Sequence, residues 1–213
     1  VDFVALDFET ANENNISACE IGVAVVRNYR IVESKSWLIR PPHLQFNPYN
    51  TKLHGISEAD VKDERTFKEL WTELQTYFDD ELLVAHNAAF DMQVLRSLLL
   101  YYHLPFKPMA FTCSIKVSKK VWKNELERYG LSSLTKFFGI QLEHHRAESD
   151  AVACAEIASK AFREYQVSFP AEIESKLHLI LGSVTEEKLV QPKAKYFQFT
   201  KKFPTKKYRK HWK

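Results

Sequence analysis

The chain has 213 residues, enough for one domain with a sizeable buried core. Its composition, 45% hydrophobic and 27% charged, is that of a globular protein in water, and no stretch approaches the roughly 18 apolar residues of a membrane span, so no membrane partner is expected. The net charge of +3 conceals a segregation: residues 188–213 carry ten Lys or Arg and no acid, which leaves 1–187 at −7, an acidic body followed by a basic aromatic tail.

Val1 leads straight into a strand-like run, so no signal peptide is expected. Phe3 to Phe8 alternates and predicts a strand; Ala18 to Val26 and Ile31 to Ile39 predict two more, with Asn28-Tyr29 at a hairpin turn between them. Pro41, Pro42 and Pro48 predict an irregular loop to about Lys52. Apolar residues at Phe67, Leu70, Trp71, Leu74 and Phe78 have helical spacing. Leu82 to Ala85 reads as a short apolar strand, followed by a helix from about Ala88 to Tyr102 with Asn87 as its N-cap. Met109 to Cys113 is a further strand, Leu131 to Phe138 and Glu148 to Phe162 are helices, and Pro170 to Leu181 is expected to be one more. Three meander strands followed by alternating strands and helices predict a mixed α/β sheet covered by helices. Cys19, Cys113 and Cys154 are too few and too scattered for a disulfide framework or a zinc site, which points to reduced thiols and a cytoplasmic protein.

The chemistry lies in three short motifs. Asp7 and Glu9, in Val4-Ala-Leu-Asp-Phe-Glu-Thr10, are two apart on a strand and share one face at its carboxyl end, where open α/β sheets usually place their sites. Two adjacent carboxylates repel, and a divalent cation between them removes the conflict; ligands that are all oxygen favour Mg²⁺ or Mn²⁺ over zinc. Asp91 closes His86-Asn-Ala-Ala-Phe-Asp91 in the first turn of the next helix, facing the strand end where Asp7 emerges. His145 and Asp150 are five apart, a poor spacing for one helical face, so His145 belongs on the approach loop and Asp150 in the first turns of the helix. A histidine with a pKa near about 6.5 accepts a proton at neutral pH; chemistry alone does not choose between His145 and its neighbour His144. Each motif alone is ordinary. Together they supply the carboxylates and the base that a two-metal phosphodiester hydrolase needs, the ions lying about 3.5–4 Å apart. The chain has no Gly-Lys-Ser/Thr phosphate loop, no G-x-S-x-G elbow and no H-E-x-x-H pair to compete with that reading.

The ordered set resembles the DnaQ-like 3′→5′ exonucleases of the DEDDh type. Asp7-x-Glu9-Thr10 looks like the family's first motif, His86-Asn-Ala-Ala-Phe-Asp91 like its second, and His145-x-Ala147-x-x-Asp150 like its third. Leu53-His-Gly-Ile56 and Leu131-x-x-Leu134 are similar to secondary signatures, and the resemblance covers about residues 2–163. It implies an RNase H-like fold, a mixed five-stranded sheet flanked by helices. It implies that Asp7, Glu9 and Asp150 bind the catalytic metal, that Asp91 completes a second metal site, and that His145, selected over His144 by the motif spacing, is the general base. Thr10 and Ala11 would present backbone groups to the 3′-terminal nucleotide, and His54 and Phe90 would touch its sugar or base. The expected activity is release of nucleoside 5′-monophosphates from single-stranded or frayed 3′ ends with two Mg²⁺ or Mn²⁺ ions. DNA is the expected substrate; the alternatives are an RNA-trimming exoribonuclease and a polymerase-associated or nucleic-acid-binding subunit with little activity of its own. A polymerase or a second copy of the chain is a candidate partner.

The expected organisation is an exonuclease domain over 1–167, a helical extension over 168–191 and a tail over 192–213. The tail interleaves Lys and Arg with Tyr196, Phe197, Phe199, Phe203, Tyr208 and Trp212, a composition suited to phosphates and unpaired bases and equally to a solubilising tail.

Overall fold

The computed structural model describes residues 1–195. Its first three strands, β1 (Phe3–Thr10), β2 (Ala18–Arg27) and β3 (Arg30–Leu38), form an antiparallel meander. The β2–β3 turn falls at Asn28 and Tyr29 as expected, both in the left-handed region at φ 49° and 62°. Next come α1 (Pro48–His54), α2 (Glu58–Val61) and α3 (Phe67–Phe78), then β4 (Leu82–Ala85), α4 (Ala89–Tyr101), β5 (Met109–Cys113), α5 (Ser114–Val121), α6 (Leu131–Phe138) and α7 (Ala147–Glu164). The chain continues through α8 (Glu172–Leu177) and four short strands, β6 (Leu179–Ile180), β7 (Gly182–Val184), β8 (Leu189–Val190) and β9 (Lys193–Ala194).

The main sheet runs β3-β2-β1-β4-β5-β7-β8. Strands β1, β4 and β5 are mutually parallel, and the rest pair antiparallel. The expected mixed five-stranded sheet is therefore present as β1 to β5, extended at one edge by β7 and β8; β6 and β9 form a separate two-stranded ribbon.

Strand β1 is central and covered on both faces, so nearly every residue in it is buried rather than alternate ones. Val4, Leu6 and Phe8 join the core under α3 and α4, with Phe67, Leu70, Leu74 and Leu95. Phe3 and Ala5 join the core under α7, with Ala151, Cys154, Ala158 and Phe162. Asp7 and Glu9 continue the Phe3–Ala5 series by strand parity and so face α7, the helix that carries Asp150.

Three expectations are corrected. The proline-marked loop contains α1, because Pro48 occupies the first turn, where its missing N–H costs nothing, and the Asn47 side chain accepts the Tyr49 N–H. Asn87 is not the N-cap of α4: it sits in the left-handed region at φ 69°, and the helix starts from Ala88 without a side-chain cap. The helical extension expected over 168–191 holds one short helix, which ends where His178 turns left-handed at φ 52° and the chain passes into β6. The tail aromatics from Tyr196 onward lie outside the described residues. Among the described residues no helix is long and apolar enough to cross a membrane.

Candidate active site

Strand β1 outruns its parallel partner. Pairing with β4 is registered at Val4 and Ala5, and further along the strand the Phe8 N–H donates instead to Asp91 Oδ1 at 3.1 Å. That bond docks the first turn of α4 against the end of β1 and buries Asp91 almost completely, at 1% exposure. Helix α7 arrives from the opposite face and places Asp150 in its first turn. Carboxylate oxygens of Asp7, Glu9 and Asp150 lie within 4.8 Å of one another. An open cleft of about 370 Å³ above them is lined by Asp7, Glu9, Phe90, Asp91, His144, His145 and Asp150, together with His86, Asn87 and Leu131.

Burial and mutual repulsion push these acids toward their protonated forms. Burial raises Asp7 well above the usual carboxylate range, and Asp91, Asp150, Glu9 and Glu20 raise it further. Glu9 is pushed up to about 8 by burial, then by Asp150, Glu20 and Asp91. Asp91 rises to about 7 through burial, opposed by the N–H groups of Phe8 and of its own backbone. Asp150 is also raised by burial, against the opposing pull of His144. Such a cluster has one economical source of relief, a divalent cation. The residues fit one: the Asp7–Glu9–Asp150 trio is all oxygen, which suits a hard ion.

His145 and its neighbour His144 both line the cleft. Their rings stack in parallel, 4.0 Å apart at 7°. His144 Nδ1 lies 3.3 Å from each Asp150 oxygen, and the His145 backbone N–H donates to Asp150 Oδ2 at 3.2 Å. That last bond holds His145 in the left-handed region, at φ 67°, where a residue with a Cβ is uncommon. Burial and the neighbouring His144 lower the pKa of His145, against the opposing pull of Asp150.

The substrate-contact expectations divide. Phe90 lines the cleft and is 41% exposed, as a contact residue needs to be. His54 does not line it: the ring is buried, Nδ1 accepts the Ile56 N–H at 3.0 Å, and Nε2 lies 3.2 Å from the Thr10 carbonyl oxygen. Of the backbone groups expected to face a nucleotide, three are bonded within the protein. The Thr10 carbonyl also accepts from Asn50 Nδ2 at 2.8 Å, and the Ala11 N–H and C=O bond to Ser17 and Asn47 at 2.8 Å each. His54 and Asn50 thus hold the end of β1 from behind.

Two residues that motif reading passed over seat the third motif. Glu20 lies opposite Glu9 on β2, is 1% exposed, and accepts the Ala147 N–H at 3.2 Å and an Arg146 guanidinium N–H at 3.4 Å. It performs from another strand the work of an N-cap that Arg146 does not supply. Beside it, a Cβ on Gly22 would stand 2.1 Å from the Ala147 carbonyl, so only glycine lets the helix start this close to the sheet. An acid inside the apolar run Ala18 to Val26 was the available signal.

The RNase T exonuclease family model matches residues 4–158, which span all three motifs. The chain belongs to this family. Its members are DnaQ-like, and the expectation of a 3′–5′ exonuclease domain of the DEDDh type, a phosphodiester hydrolase, stands on that membership. Exonucleases of this family generally use divalent metals. The exonuclease is 32% identical over 182 residues to the PolC-type DNA polymerase III of Caldanaerobacter subterraneus subsp. tengcongensis, covering 83% of this chain and 13% of that protein. It spans 10% of the Streptococcus pneumoniae PolC-type polymerase, so it matches only a small part of each of these relatives. Among solved structures, exonuclease X in complex with 5′ overhanging duplex DNA superposes with a TM-score of 0.64 at 25% identity, over 82% of this chain and 96% of that one. The nuclease domain of 3′hExo, a DEDDh family member bound to rAMP, shares the fold with a TM-score of 0.64 at 17% identity, over 76% of this chain and 92% of that one.

Proposed function

We propose that this exonuclease removes nucleoside 5′-monophosphates from single-stranded or frayed 3′ ends of DNA, with Mg²⁺ or Mn²⁺ at a two-ion site and His145 as general base. The observation that carries the reading is the convergence of Asp7, Glu9 and Asp150 oxygens within 4.8 Å at the floor of an open cleft. When bound, divalent cations supply charge neutralisation for the attacking and leaving oxygens. Asp7, Glu9 and Asp150 would hold one, and Asp91, whose charge reaches Asp7, would complete the second site. His145 takes the proton of the attacking water, a role that its lowered pKa favours. Phe90 offers its exposed face to the terminal base or sugar.

DNA is favoured by the polymerase relatives and by the duplex complex of exonuclease X. The same relatives make a polymerase the best-supported protein partner, with proofreading as the role. A reducing, cytoplasmic setting fits the buried free thiols of Cys19, Cys113 and Cys154.

Single substitutions test the assignment. Asp7→Ala, Asp91→Ala and Asp150→Ala are each expected to lower kcat by at least about 10³-fold while keeping the wild-type far-UV spectrum. His145→Ala is expected to keep metal binding and lose about 10²–10⁴-fold in rate. Near-wild-type turnover in any of these variants removes that residue from the mechanism. If His144→Ala is the slower of the two histidine variants, the base is His144, whose ring stands beside Asp150.

A further inference from the structure

Helix α5 leaves the cleft carrying a row of lysines. Lys116, Lys119 and Lys120 follow the i, i+3, i+4 spacing of one helical face, while Ser114, Val117, Ser118 and Val121 are buried on the other, and Lys123 follows in the turn beyond the helix end. With Lys193 they line a groove of about 700 Å³ whose floor includes Leu126, Tyr129 and Leu179. The walls are firm. Lys116 Nζ donates to the Pro192 carbonyl, Trp122 Nε1 donates to Glu164 at 2.8 Å, the Tyr129 hydroxyl donates to the Trp122 carbonyl at 2.9 Å, and β9 pairs with β6 through Leu179 and Ala194. Lys119 Nζ stands 5.8 Å from the centre of the Tyr129 ring.

No acid lines the groove, and among the described residues none of the five lysines is ion-paired. The helix dipole accounts for Lys119 and Lys120, in the last turn of α5. It does not account for Lys116 in the first turn, where a cation is disfavoured, nor for Lys193 from another element. Five ammonium groups around one depression repel each other, and a polyanion relieves that repulsion. The chain's own continuation is unsuited to the place, because residues 195–213 carry eight Lys or Arg and no acid. The groove lies next to the cleft along the chain: Ile115 and Gly130, which line the cleft, adjoin Lys116 and Tyr129, which line the groove.

We propose that this groove holds the sugar–phosphate backbone of the strand whose 3′ end occupies the cleft, a reading that rests on the exonuclease function proposed above. Lysines act as mobile point charges rather than planar forks, so the contact is to phosphates and independent of sequence.

The test is the salt dependence of binding by the 213-residue chain. A fluorescein-labelled single-stranded DNA 30-mer is titrated by anisotropy in EDTA, so no hydrolysis intervenes. Each phosphate contact to a single strand contributes about 0.7 to the slope of log K against log salt. Lys119→Gln, Lys120→Gln and Lys123→Gln combined are expected to flatten the slope by about 2 and to weaken binding at least about ten-fold at 0.1 M salt. A control with Lys62→Gln, Lys68→Gln and Lys107→Gln, all outside the groove, is expected to keep the wild-type slope, and melting curves establish that both triple variants are folded. An unchanged slope in the groove variant overturns the proposal, as does loss of adhesion to phosphatidylserine vesicles with DNA binding intact. Because binding is read without turnover, failure of the groove and failure of the hydrolytic site appear separately.

Discussion

At the scale of single residues, the molecule gathers negative charge where folding least favours it. Ordinary Asp and Glu side chains titrate near pH 4, whereas burial and repulsion hold Asp91 up to about 7 and Glu9 up to about 8. Between about pH 4 and pH 8 the unfolded chain has therefore released protons that the folded chain retains, so these two groups make the metal-free protein lose stability as pH rises through that window. A cation that replaces the protons reverses the trend. Mg²⁺ or Mn²⁺ is accordingly expected to raise the melting temperature more at pH 8 than at pH 5.5, by about 5–10 °C at the higher pH when present at about 100 times its Kd. Asp7→Asn is expected to remove most of that gain. A gain that is equal at both pH values, or larger in acid, would contradict this picture of the cluster. The acids themselves were legible in the sequence because three short motifs carry them in order. Glu20 was not, since an acid facing Glu9 across two strands is adjacent only after the sheet forms. His54, expected to touch the terminal sugar or base, has both ring nitrogens turned inward onto backbone.

At the scale of elements, the site depends on how closely α7 approaches β2. Glu20 anchors the first N–H of the helix, and Gly22 leaves room for the Ala147 carbonyl. Gly22→Ala is expected to cost about 1–3 kcal/mol by urea denaturation, because backbone rather than a pliable side chain must move. By displacing Asp150 it is also expected to lower kcat more than it raises KM. Wild-type stability in that variant would mean that the helix start yields without consequence. Most elements were readable: Phe67–Phe78, whose apolar residues have helical spacing, and Met109–Cys113 and Leu131–Phe138 have the bounds expected from the sequence. The misreadings have physical causes. Pro48 reads as a loop residue, although a first helical turn accommodates it. In 170–181 the helical run ends because His178 adopts a left-handed conformation, which no apolar pattern encodes.

At the scale of the whole molecule, the central sheet brings three distant segments together: the end of β1, the start of α4 after β4, and the start of α7. The parallel β1–β4 pairing and the antiparallel β1–β2 pairing place the two helix starts on either side of Asp7 and Glu9, one bonded to Phe8 and the other to Glu20. Sequence order alone indicated the membership of the site, but the lysine face of α5 acquires meaning only once β9 closes the groove beside it. The most direct measurement is degradation of matched 5′-labelled single-stranded DNA and RNA oligonucleotides with Mg²⁺, Mn²⁺ or EDTA. The expected result is a ladder that shortens stepwise from the 3′ end with either metal, is silent in EDTA, and runs faster on DNA. Intact strands in both metals, or cleavage that begins internally or at the 5′ end, would contradict the assignment.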